Sequence, residues 1–284
     1  MPFPLENSGR TVAAMYENFY EMINTPFARN TPVTELYESP AMADALGRLA
    51  YVADRQLFAV VTADAGCGKS TLIRRFSTSL PKEEYIFLYL SDSKLTPRWF
   101  YKGMLDQLGI ESKFYRGDAK RQLQKEVEIL RGVQKKKVVC ILDEAHLMEK
   151  ETIEELRFLL NYRFDSMSPL SLILVGQAEL WDKLRLQRYA AVRQRIDLSC
   201  VLPHLDRAET ERYILSQLAY AGGKKEIFTD RALDDIYKES TGIPRRINRI
   251  CEKGLMYASQ QSKRLIDEHL VRYVLEHEML GGES

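Results

Sequence analysis

Apolar and polar positions follow two patterns that alternate along the chain as far as Pro203. Short runs that are apolar at nearly every position are typical of strands buried on both faces of a parallel sheet. Longer amphipathic stretches with helical spacing lie between them, which is the layout of a doubly wound α/β fold. The predicted strands are 56–62 (QLFAVVT), 85–90 (YIFLYL), 137–142 (KVVCIL) and 171–176 (SLILVG), with 196–201 as a candidate fifth.

Helices are predicted between these strands, ahead of them and after them. In the first part of the chain they cover 12–22, 40–54, 71–80, 97–108, 119–135 and 150–164. Beyond Pro203 no strand-like run recurs, and helices are expected near 206–221, 229–240, 244–261 and 267–278. The pattern therefore predicts three parts: an N-terminal helical segment (1–55), an α/β core (56–203) and a smaller helical domain (204–284).

Composition narrows the class of protein. With 284 residues, 45% hydrophobic and 29% charged, the chain has the profile of an ordinary soluble globular protein. The 41 basic residues nearly balance the 40 acidic ones, so any site for nucleic acid must be local. Four scattered cysteines without a CxxC pair fit reduced thiols. Since no apolar run approaches about 18 residues and no signal-peptide layout is present, we expect a cytoplasmic protein.

The segment after the first predicted strand has the composition of a phosphate-binding loop. It reads ADAGCGKST and leads directly into a predicted helix. Glycines let successive backbone N–H groups wrap a phosphate, the lysine reaches the β and γ oxygens, and a hydroxyl holds magnesium. Ala63 replaces the usual first glycine, which is tolerable if its φ is negative. The predicted nucleotide-binding residues here are Asp64, Ala65, Gly66, Cys67, Gly68, Lys69, Ser70 and Thr71.

Two adjacent carboxylates end the third predicted strand, in KVVCILDEAH. Ligands of open α/β sheets bind at the carboxyl ends of the strands. We expect Asp143 to hold magnesium together with Ser70, and Glu144 to polarise the water that attacks the γ-phosphate. Taken alone, such a pair also occurs as the cap of a following helix. The upstream loop favours the catalytic interpretation, so the sequence predicts an ATPase that uses ATP and Mg²⁺.

With these two motifs in this order, followed by GIPRRIN at 242–248, the chain resembles AAA+ ATPases of the ExeA-like group. That group is similar to the TnsC-type ATPases that accompany bacterial transposases. The resemblance runs from about residue 16 to residue 275 and is most specific at 24–27, the phosphate loop, LDEAH, LVGQAEL and GIPRRINRIC. It implies an α/β fold: an AAA+ P-loop core with a parallel five-stranded sheet and a C-terminal helical lid domain.

The resemblance also implies catalytic roles beyond those of Lys69 and Glu144. Arg245 takes the position of the second sensor, which contacts the γ-phosphate from the lid. Gln177 takes that of the first sensor, which orients the attacking water, although a simple turn residue is equally compatible there. An arginine finger, which stabilises transition-state charge in a neighbouring subunit, is expected among three residues and implies a homo-oligomer. The candidates are Arg193 and Arg195, favoured over Arg188.

The N-terminal segment carries one more implied contact. Asn24, Pro26 and Phe27 resemble the segment that packs on the adenine in this group. Phe27 could equally anchor the hydrophobic core. The resemblance therefore predicts an adenine contact here, with a purely structural role for the phenylalanine as the open alternative.

Local basic clusters predict contacts with DNA. In TnsC-like proteins the loops at these positions line a ring or filament and follow DNA phosphates, which gives salt-dependent binding without sequence specificity. In the second cluster, Phe114 and Tyr115 are interleaved with cations, but Asp118, Glu126 and Glu128 are mixed in. A solvated helix face is equally compatible there. The predicted DNA-binding residues are Lys94, Thr96, Arg98, Lys102, Arg116 and Lys120.

Three functions are compatible with this pattern. The first is an ATPase that binds double-stranded DNA as an ATP-dependent ring or filament and recruits or activates a transposase. The second is an ExeA-type ATPase that energises assembly of a secretion system, and the third is a replication initiator or clamp loader. Secretion proteins of this group carry a membrane segment and a wall-binding extension, and initiators a winged helix, whereas this sequence ends at Ser284. We therefore expect transposition, without a membrane partner.

Overall fold

A computed structural model describes residues 15–91, 96–160, 168–223 and 225–278 of the protein. Within these residues, five parallel strands form one sheet. The spatial order is β2-β3-β4-β1-β5, and every neighbouring pair runs parallel. All five carboxyl ends therefore lie along one edge of the sheet. The strands are β1 (Phe58–Thr62), β2 (Tyr85–Leu90), β3 (Lys137–Leu142), β4 (Ser171–Gly176) and β5 (Leu198–Val201).

The central strands are apolar throughout because both of their faces are covered. Every residue of β1 and β4 is buried, and β3 is buried apart from its first residue. The register pairs Thr62 with Gly176 and Leu142 with Leu174. The last residues of β1, β3 and β4 therefore end side by side, with β4 in the middle.

The described part of the chain contains twelve α-helices and four short 3-10 helices. Proline opens three of them, at Pro40, Pro97 and Pro244, where its missing N–H costs no hydrogen bond. In chain order they are α1 (Met15–Phe19), α2 (Pro40–Arg55), α3 (Lys69–Ser79), α4 (Pro97–Gln107), α5 (Arg116–Gly132), α6 (Lys150–Leu160), α7 (Glu179–Arg185), α8 (Ala190–Arg193), α9 (Arg207–Ala221), α10 (Asp230–Ser240), α11 (Pro244–Gln260) and α12 (Glu268–Glu278).

The chain divides into two compact units. One comprises Pro40–Pro203 and holds the sheet with α2 to α8; the other comprises the remaining described residues, namely α1 and α9 to α12. Helix α2 belongs to the sheet unit, where its buried residues Leu49, Val52 and Ala53 contribute to the core. Each unit has its own hydrophobic cluster.

The predicted strands 85–90, 137–142 and 171–176 coincide with β2, β3 and β4. The first strand begins at Phe58 and not at residue 56, because Gln56 adopts a positive φ of 55° and turns its amide into the core. There the amide donates to the Ala53 carbonyl at 2.9 Å and to Ser171 Oγ at 2.9 Å. The fifth strand also starts two residues later than predicted and covers Leu198–Val201.

The predicted helices are found with shifted ends, and two short helices, α7 and α8, were not predicted. Helix α5 begins at Arg116, three residues before the predicted start. Residues 12–14 and 161–164 of the predicted helices lie outside the described residues, as does Lys94. None of the described helices is both long enough and apolar enough to span a bilayer.

A buried carboxylate links three helices of the sheet unit. Glu155 in α6 accepts hydrogen bonds from the Tyr101 hydroxyl of α4 at 2.6 Å and from Lys120 Nζ of α5 at 3.0 Å. Arg116 Nη1 lies 3.6 Å from its second oxygen. Burial raises the pKa of Glu155, but these hydrogen bonds and cations outweigh the burial, so the pKa lies below its usual value. The ionised carboxylate therefore stabilises the fold.

Glu155→Gln should lower the free energy of unfolding at neutral pH by about 1–3 kcal/mol, because a buried hydroxyl and a cation lose their charged acceptor. Since the pKa of Glu155 is lowered in the folded state, its contribution is present at neutral pH and disappears as the pH falls through the acidic range. Urea unfolding at a series of pH values measures both effects.

Glu154→Gln provides the matched control for this prediction. Glu154 is partly exposed on the same helix and lies 3.7 Å from Lys150 one turn away, a kind of pair that contributes about 0.5 kcal/mol at most. Equal losses in the two variants at neutral pH would contradict the role of Glu155. So would a loss in Glu155→Gln that stays unchanged at acidic pH.

Candidate functional site

The loop between β1 and α3 has the backbone that its glycines predict. Gly66 and Gly68 have φ values of 89° and 92°, in the left-handed region that favours glycine. Gly68 directly precedes α3, so the loop runs into the unpaired N–H groups of that helix's first turn. A side chain at Gly68 would be strained by its φ and would start 3.4 Å from Met42 Cε. The segment can therefore approach a phosphate with backbone alone.

Ala63, the one departure from the usual loop pattern, fits without strain. Its φ is not positive, its side chain is buried, and its N–H donates to the Gly176 carbonyl at 3.2 Å. The loop thus leaves β1 while still bonded to the end of β4. Alanine serves in this place because the backbone does not need the left-handed region there.

Lys69 is buried at the start of α3 and folds back over the loop. Its ammonium group donates to the Ala63 carbonyl at 2.8 Å and to the Asp64 carbonyl at 3.1 Å. An ammonium group has three N–H donors, so the same group can also donate to a phosphate oxygen. Ser70, one residue further on, is exposed.

Asp143 and Tyr89 form a pair at the ends of β3 and β2. The Asp143 carboxylate is buried; one oxygen accepts from the Glu144 N–H at 2.8 Å and the other from the Tyr89 hydroxyl at 2.7 Å. Burial, followed by the bond to Asp143, raises the pKa of Tyr89 above its usual range, so the hydroxyl keeps its proton. Tyr89 was not among the site residues predicted from the sequence. The feature of the sequence that could have indicated it is a polar hydroxyl group within an otherwise apolar run.

Glu144 adopts a left-handed backbone with φ 53° and ψ 31°, which is uncommon for a residue with a side chain. Its carboxylate is 41% exposed, and one oxygen lies 3.6 Å from His146 Nε2. It makes no side-chain cap to the 3-10 turn Ala145–Leu147 that follows. The alternative role for Glu144, as a helix cap, is therefore absent here.

Gln177 lies at the end of β4 and contacts the same histidine. Its backbone N–H is 3.4 Å from His146 Nδ1, and its side-chain amide is 3.1 Å from His146 Nε2. The polar residues at the carboxyl ends of β3 and β4 thus meet on one imidazole ring. His146, the last residue of the LDEAH motif, was not among the site residues predicted from the sequence.

The three candidate finger arginines lie before β5. Arg193 Nη1 donates to the carbonyls of Leu184 and Arg185 at 3.1 and 2.7 Å, which satisfies the end of α7. Arg188 is exposed, with its guanidinium 5.0 Å from the Tyr189 ring centroid. Arg195 is half-buried. That one of them meets a neighbouring subunit stays a prediction.

In the other unit, the segment around Phe27 is bonded to α9 and α11. Phe27 is buried in the hydrophobic cluster, its N–H donates to Gln217 Oε1 at 3.2 Å, and its carbonyl accepts from Asn248 Nδ2 at 3.5 Å. Asn24 Nδ2 donates to the Tyr220 carbonyl at 2.9 Å. Phe27 is thus a core anchor in this unit, and the adenine contact of Asn24, Pro26 and Phe27 stays a prediction.

Arg245 is exposed in the first turn of α11, and a glycine fixes the start of that helix. Gly242 has a φ of 75°, and a Cβ there would lie 1.9 Å from the Leu205 carbonyl oxygen, so no other residue fits. The Leu205 N–H in turn donates to the Gly242 carbonyl at 3.0 Å. The GIPRR segment therefore has a structural reason for its glycine, while the sensor role of Arg245 stays a prediction.

The sequence of the chain is similar to a known protein family and to a curated protein. Residues 52–184 match the protein-family model described as AAA domain. The chain is 31% identical over 249 residues to General secretion pathway protein A of Aeromonas hydrophila; the match spans 86% of this chain and 45% of that protein. The chain thus spans less than half the length of this curated relative.

Two solved structures from Aeropyrum pernix have a similar fold. The ORC2 protein, in its ADPNP–ADP complexes, has a TM-score of 0.68 at 16% identity, with 91% of this chain and 72% of that chain covered. The ORC1 protein in complex with DNA has a TM-score of 0.64 at 14% identity, with 88% and 68% covered. At these identities the likeness concerns the fold.

Lys69→Ala should weaken nucleotide binding by roughly 10- to 100-fold, because a phosphate oxygen loses a charged hydrogen-bond donor. A titration with a fluorescent ATP analogue measures the dissociation constant. Lys82→Ala is the control, since Lys82 is an exposed lysine beyond the end of α3. Unchanged affinity in Lys69→Ala would contradict the assignment of this loop.

Proposed function

We propose that this chain, which has the fold of a P-loop AAA+ ATPase, is an ATP-driven switch that assembles on double-stranded DNA and recruits or activates a transposase. The observation that carries the DNA part is an exposed surface of aromatic and basic side chains at α4 and the loop before α5. The transposase part rests on the resemblance to TnsC-type ATPases. The proposed switch depends on ATP hydrolysis at the carboxyl edge of the sheet.

The residues at the carboxyl edge of the sheet fit a magnesium–nucleotide complex. Gly66 and Gly68 present a backbone that a Cβ would obstruct or strain, Ser70 offers an exposed hydroxyl, and Asp143 offers a buried carboxylate. When bound, magnesium would neutralise negative charge on the phosphate oxygens. Tyr89 holds one oxygen of Asp143 and thereby orients the carboxylate for this role.

Glu144 is the proposed base of the reaction. Its partly exposed carboxylate accepts a proton from the water that attacks the γ-phosphorus, while Lys69 stabilises negative charge on the phosphate oxygens. Gln177, at the end of the neighbouring strand, is the proposed orienting group for that water. An arginine of a second copy, Arg193 or Arg195, completes the proposed site and makes turnover depend on assembly.

Five residues form the surface that we call the aromatic–basic surface: Arg98, Trp99, Lys102, Phe114 and Tyr115. The Arg98 guanidinium lies 4.2 Å from the Phe114 ring centroid, and Lys102 Nζ lies 5.2 Å from that of Trp99. Trp99, Phe114 and Tyr115 are 52%, 67% and 71% exposed. Cations on exposed rings suit a nucleic acid, because phosphates attract the cations while sugars and bases pack on the rings.

The side chains of the other predicted DNA-binding residues already make contacts within the protein. Thr96 caps the start of α4, accepting from the Trp99 N–H at 3.5 Å, and so helps to fix the helix that presents Arg98. Arg116 and Lys120 face the carboxylate of Glu155, which compensates part of their charge. We therefore assign the main phosphate contacts to Arg98 and Lys102, although Lys102 also lies 3.3 Å from Asp106.

A secretion ATPase is the second candidate, favoured by the 31% identity to General secretion pathway protein A of Aeromonas hydrophila. The match spans 86% of this chain and 45% of that protein, so more than half of that protein has no counterpart in the match. Both candidates use the same hydrolytic residues. They differ in the partner, and therefore in whether the aromatic–basic surface binds DNA.

Glu144→Gln should preserve nucleotide binding and block turnover, because the amide keeps the shape of the side chain but cannot accept the proton. Phosphate release under single-turnover conditions, together with the dissociation constant of the ATP analogue, separates the two steps. Glu149→Gln is the control, since Glu149 is an exposed carboxylate beyond the 3-10 turn. Persisting turnover in Glu144→Gln would refute the assignment of the base.

The double variant Arg98→Glu/Lys102→Glu should weaken binding to duplex DNA by about tenfold or more, to a similar extent for unrelated sequences. The slope of log affinity against log salt should fall by about one for each phosphate that the protein no longer neutralises. Fluorescence anisotropy with a labelled duplex and a non-hydrolysable ATP analogue measures both.

Lys150→Glu/Arg185→Glu is the matched control, because it reverses two exposed cations elsewhere on the same unit. Equal weakening in the two double variants would show that charge in general and not this surface binds DNA. No nucleotide-dependent binding of the unmodified protein to duplex DNA at low salt would leave the secretion ATPase as the better candidate.

A further inference from the structure

The imidazole ring of His146 lies between the two groups proposed to face the attacking water. It belongs to the 3-10 turn after β3, and its side chain is 9% exposed. Nε2 is 3.6 Å from a Glu144 carboxylate oxygen and 3.1 Å from the Gln177 side-chain amide, while Nδ1 is 3.4 Å from the Gln177 backbone nitrogen. One buried ring thus contacts residues at the ends of two strands.

The backbone contact decides which nitrogen of the neutral ring carries the proton. A backbone N–H can only donate, so Nδ1 of His146 accepts from Gln177 and the proton lies on Nε2. With the proton on Nε2, the Gln177 side chain accepts it when its amide is turned to present Oε1 in place of the nitrogen Nε2 that lies 3.1 Å away. The Glu144 carboxylate oxygen lies 3.6 Å from the same ring nitrogen, a contact longer than a hydrogen bond. The imidazole ring therefore contacts both the carboxylate of Glu144 and the amide of Gln177.

The turn that carries His146 is held on two sides. Lys183 of α7 donates its ammonium hydrogens to the carbonyls of His146 and Met148, the latter at 2.9 Å. Gly176, the last residue of β4, lies so close that a Cβ would stand 3.2 Å from the His146 nitrogen and 3.0 Å from Leu180 Cδ2. A ring attached to so constrained a backbone has few orientations available.

We propose that His146 is a positioning residue that ties the Glu144 carboxylate to Gln177, so that the two groups facing the attacking water are oriented together. The inference rests on the proposed role of Glu144 as the base. Because that carboxylate is partly exposed, it can rotate away from the reacting atoms unless a neighbour holds it. A change in the position of Gln177 would be passed to the base through the ring.

His146→Ala should lower kcat by roughly 10- to 100-fold, because a misplaced base loses the geometry of attack. The dissociation constant for the ATP analogue should stay within about twofold, since no contact to the nucleotide is removed. His146→Gln should restore part of the rate, because its amide can return a hydrogen-bond donor near the former Nε2 position. Leu147→Ala, an exposed change in the same turn, is the control and should behave as the unmodified protein.

A double-mutant cycle tests the coupling itself. If His146 acts through Gln177 and Glu144 together, His146→Ala/Gln177→Ala should lose little more kcat than the more damaging single change, whereas independent residues multiply their losses. Circular dichroism and urea unfolding identify folded variants. If His146→Ala does not fold, the cycle is run with His146→Gln, and multiplicative losses there overturn the proposal.

The outcome separates this proposal from the function on which it rests. If Glu144→Gln retains turnover, the base is wrong and the positioning role fails with it. If Glu144→Gln is inactive while His146→Ala hydrolyses ATP at the unmodified rate, the base stands and the role of His146 alone is overturned. A loss of kcat in His146→Ala with equal loss in Leu147→Ala also overturns it, because the effect would then belong to the turn.

Discussion

The candidate site depends on the parallel register of β1, β4 and β3. Pairing Thr62 with Gly176 and Leu142 with Leu174 brings three strand ends to one edge, with β4 between the other two. The phosphate loop, the two carboxylates and Gln177 each follow one of these strands. If either pairing shifted by one residue, the side chains of the shifted strand would move to the opposite face of the sheet. The residues of β1 and β4 are all buried, so such a shift would disturb the packing on both faces. Burial on both faces therefore holds the geometry of the site.

Much of this arrangement was predictable because its signals are local. The apolar runs gave three strands with correct bounds, and the loop and LDEAH sequences located the candidate nucleotide site. Tyr89 and His146 were not predicted, since their roles follow from contacts made across strands: Tyr89 lies 54 positions from Asp143, and His146 lies 31 positions from Gln177. The compensation of Lys120 by Glu155, 35 positions away, was hidden for the same reason.

Seven non-glycine residues in the described part of the chain adopt a positive φ, and one of them, Glu144, lies in the candidate site. Gly66 and Gly68 adopt a positive φ at no steric cost, but Glu144 adopts one with a side chain, a conformation that costs about 1–3 kcal/mol. The hydrogen bond from the Glu144 N–H to Asp143 Oδ1 at 2.8 Å offsets part of that cost, and the Glu144 carboxylate lies 3.6 Å from His146 Nε2. The strain turns the Glu144 side chain away from the path that an extended continuation of β3 would give it. The carboxylates of consecutive residues can then take separate tasks.

The hydrolytic residues do not distinguish the two candidate functions, so the distinction must come from the surface. Trp99, Phe114 and Tyr115 are more than half exposed and lie close to the cations Arg98 and Lys102, and an exposed patch of aromatic rings is typical of an interaction site. An apolar protein partner would remove water from the Arg98 guanidinium without offering it another hydrogen-bond acceptor. A phosphate backbone offers the guanidinium a charged acceptor while its sugars and bases cover the rings. The same five residues therefore favour a nucleic acid over an apolar protein face.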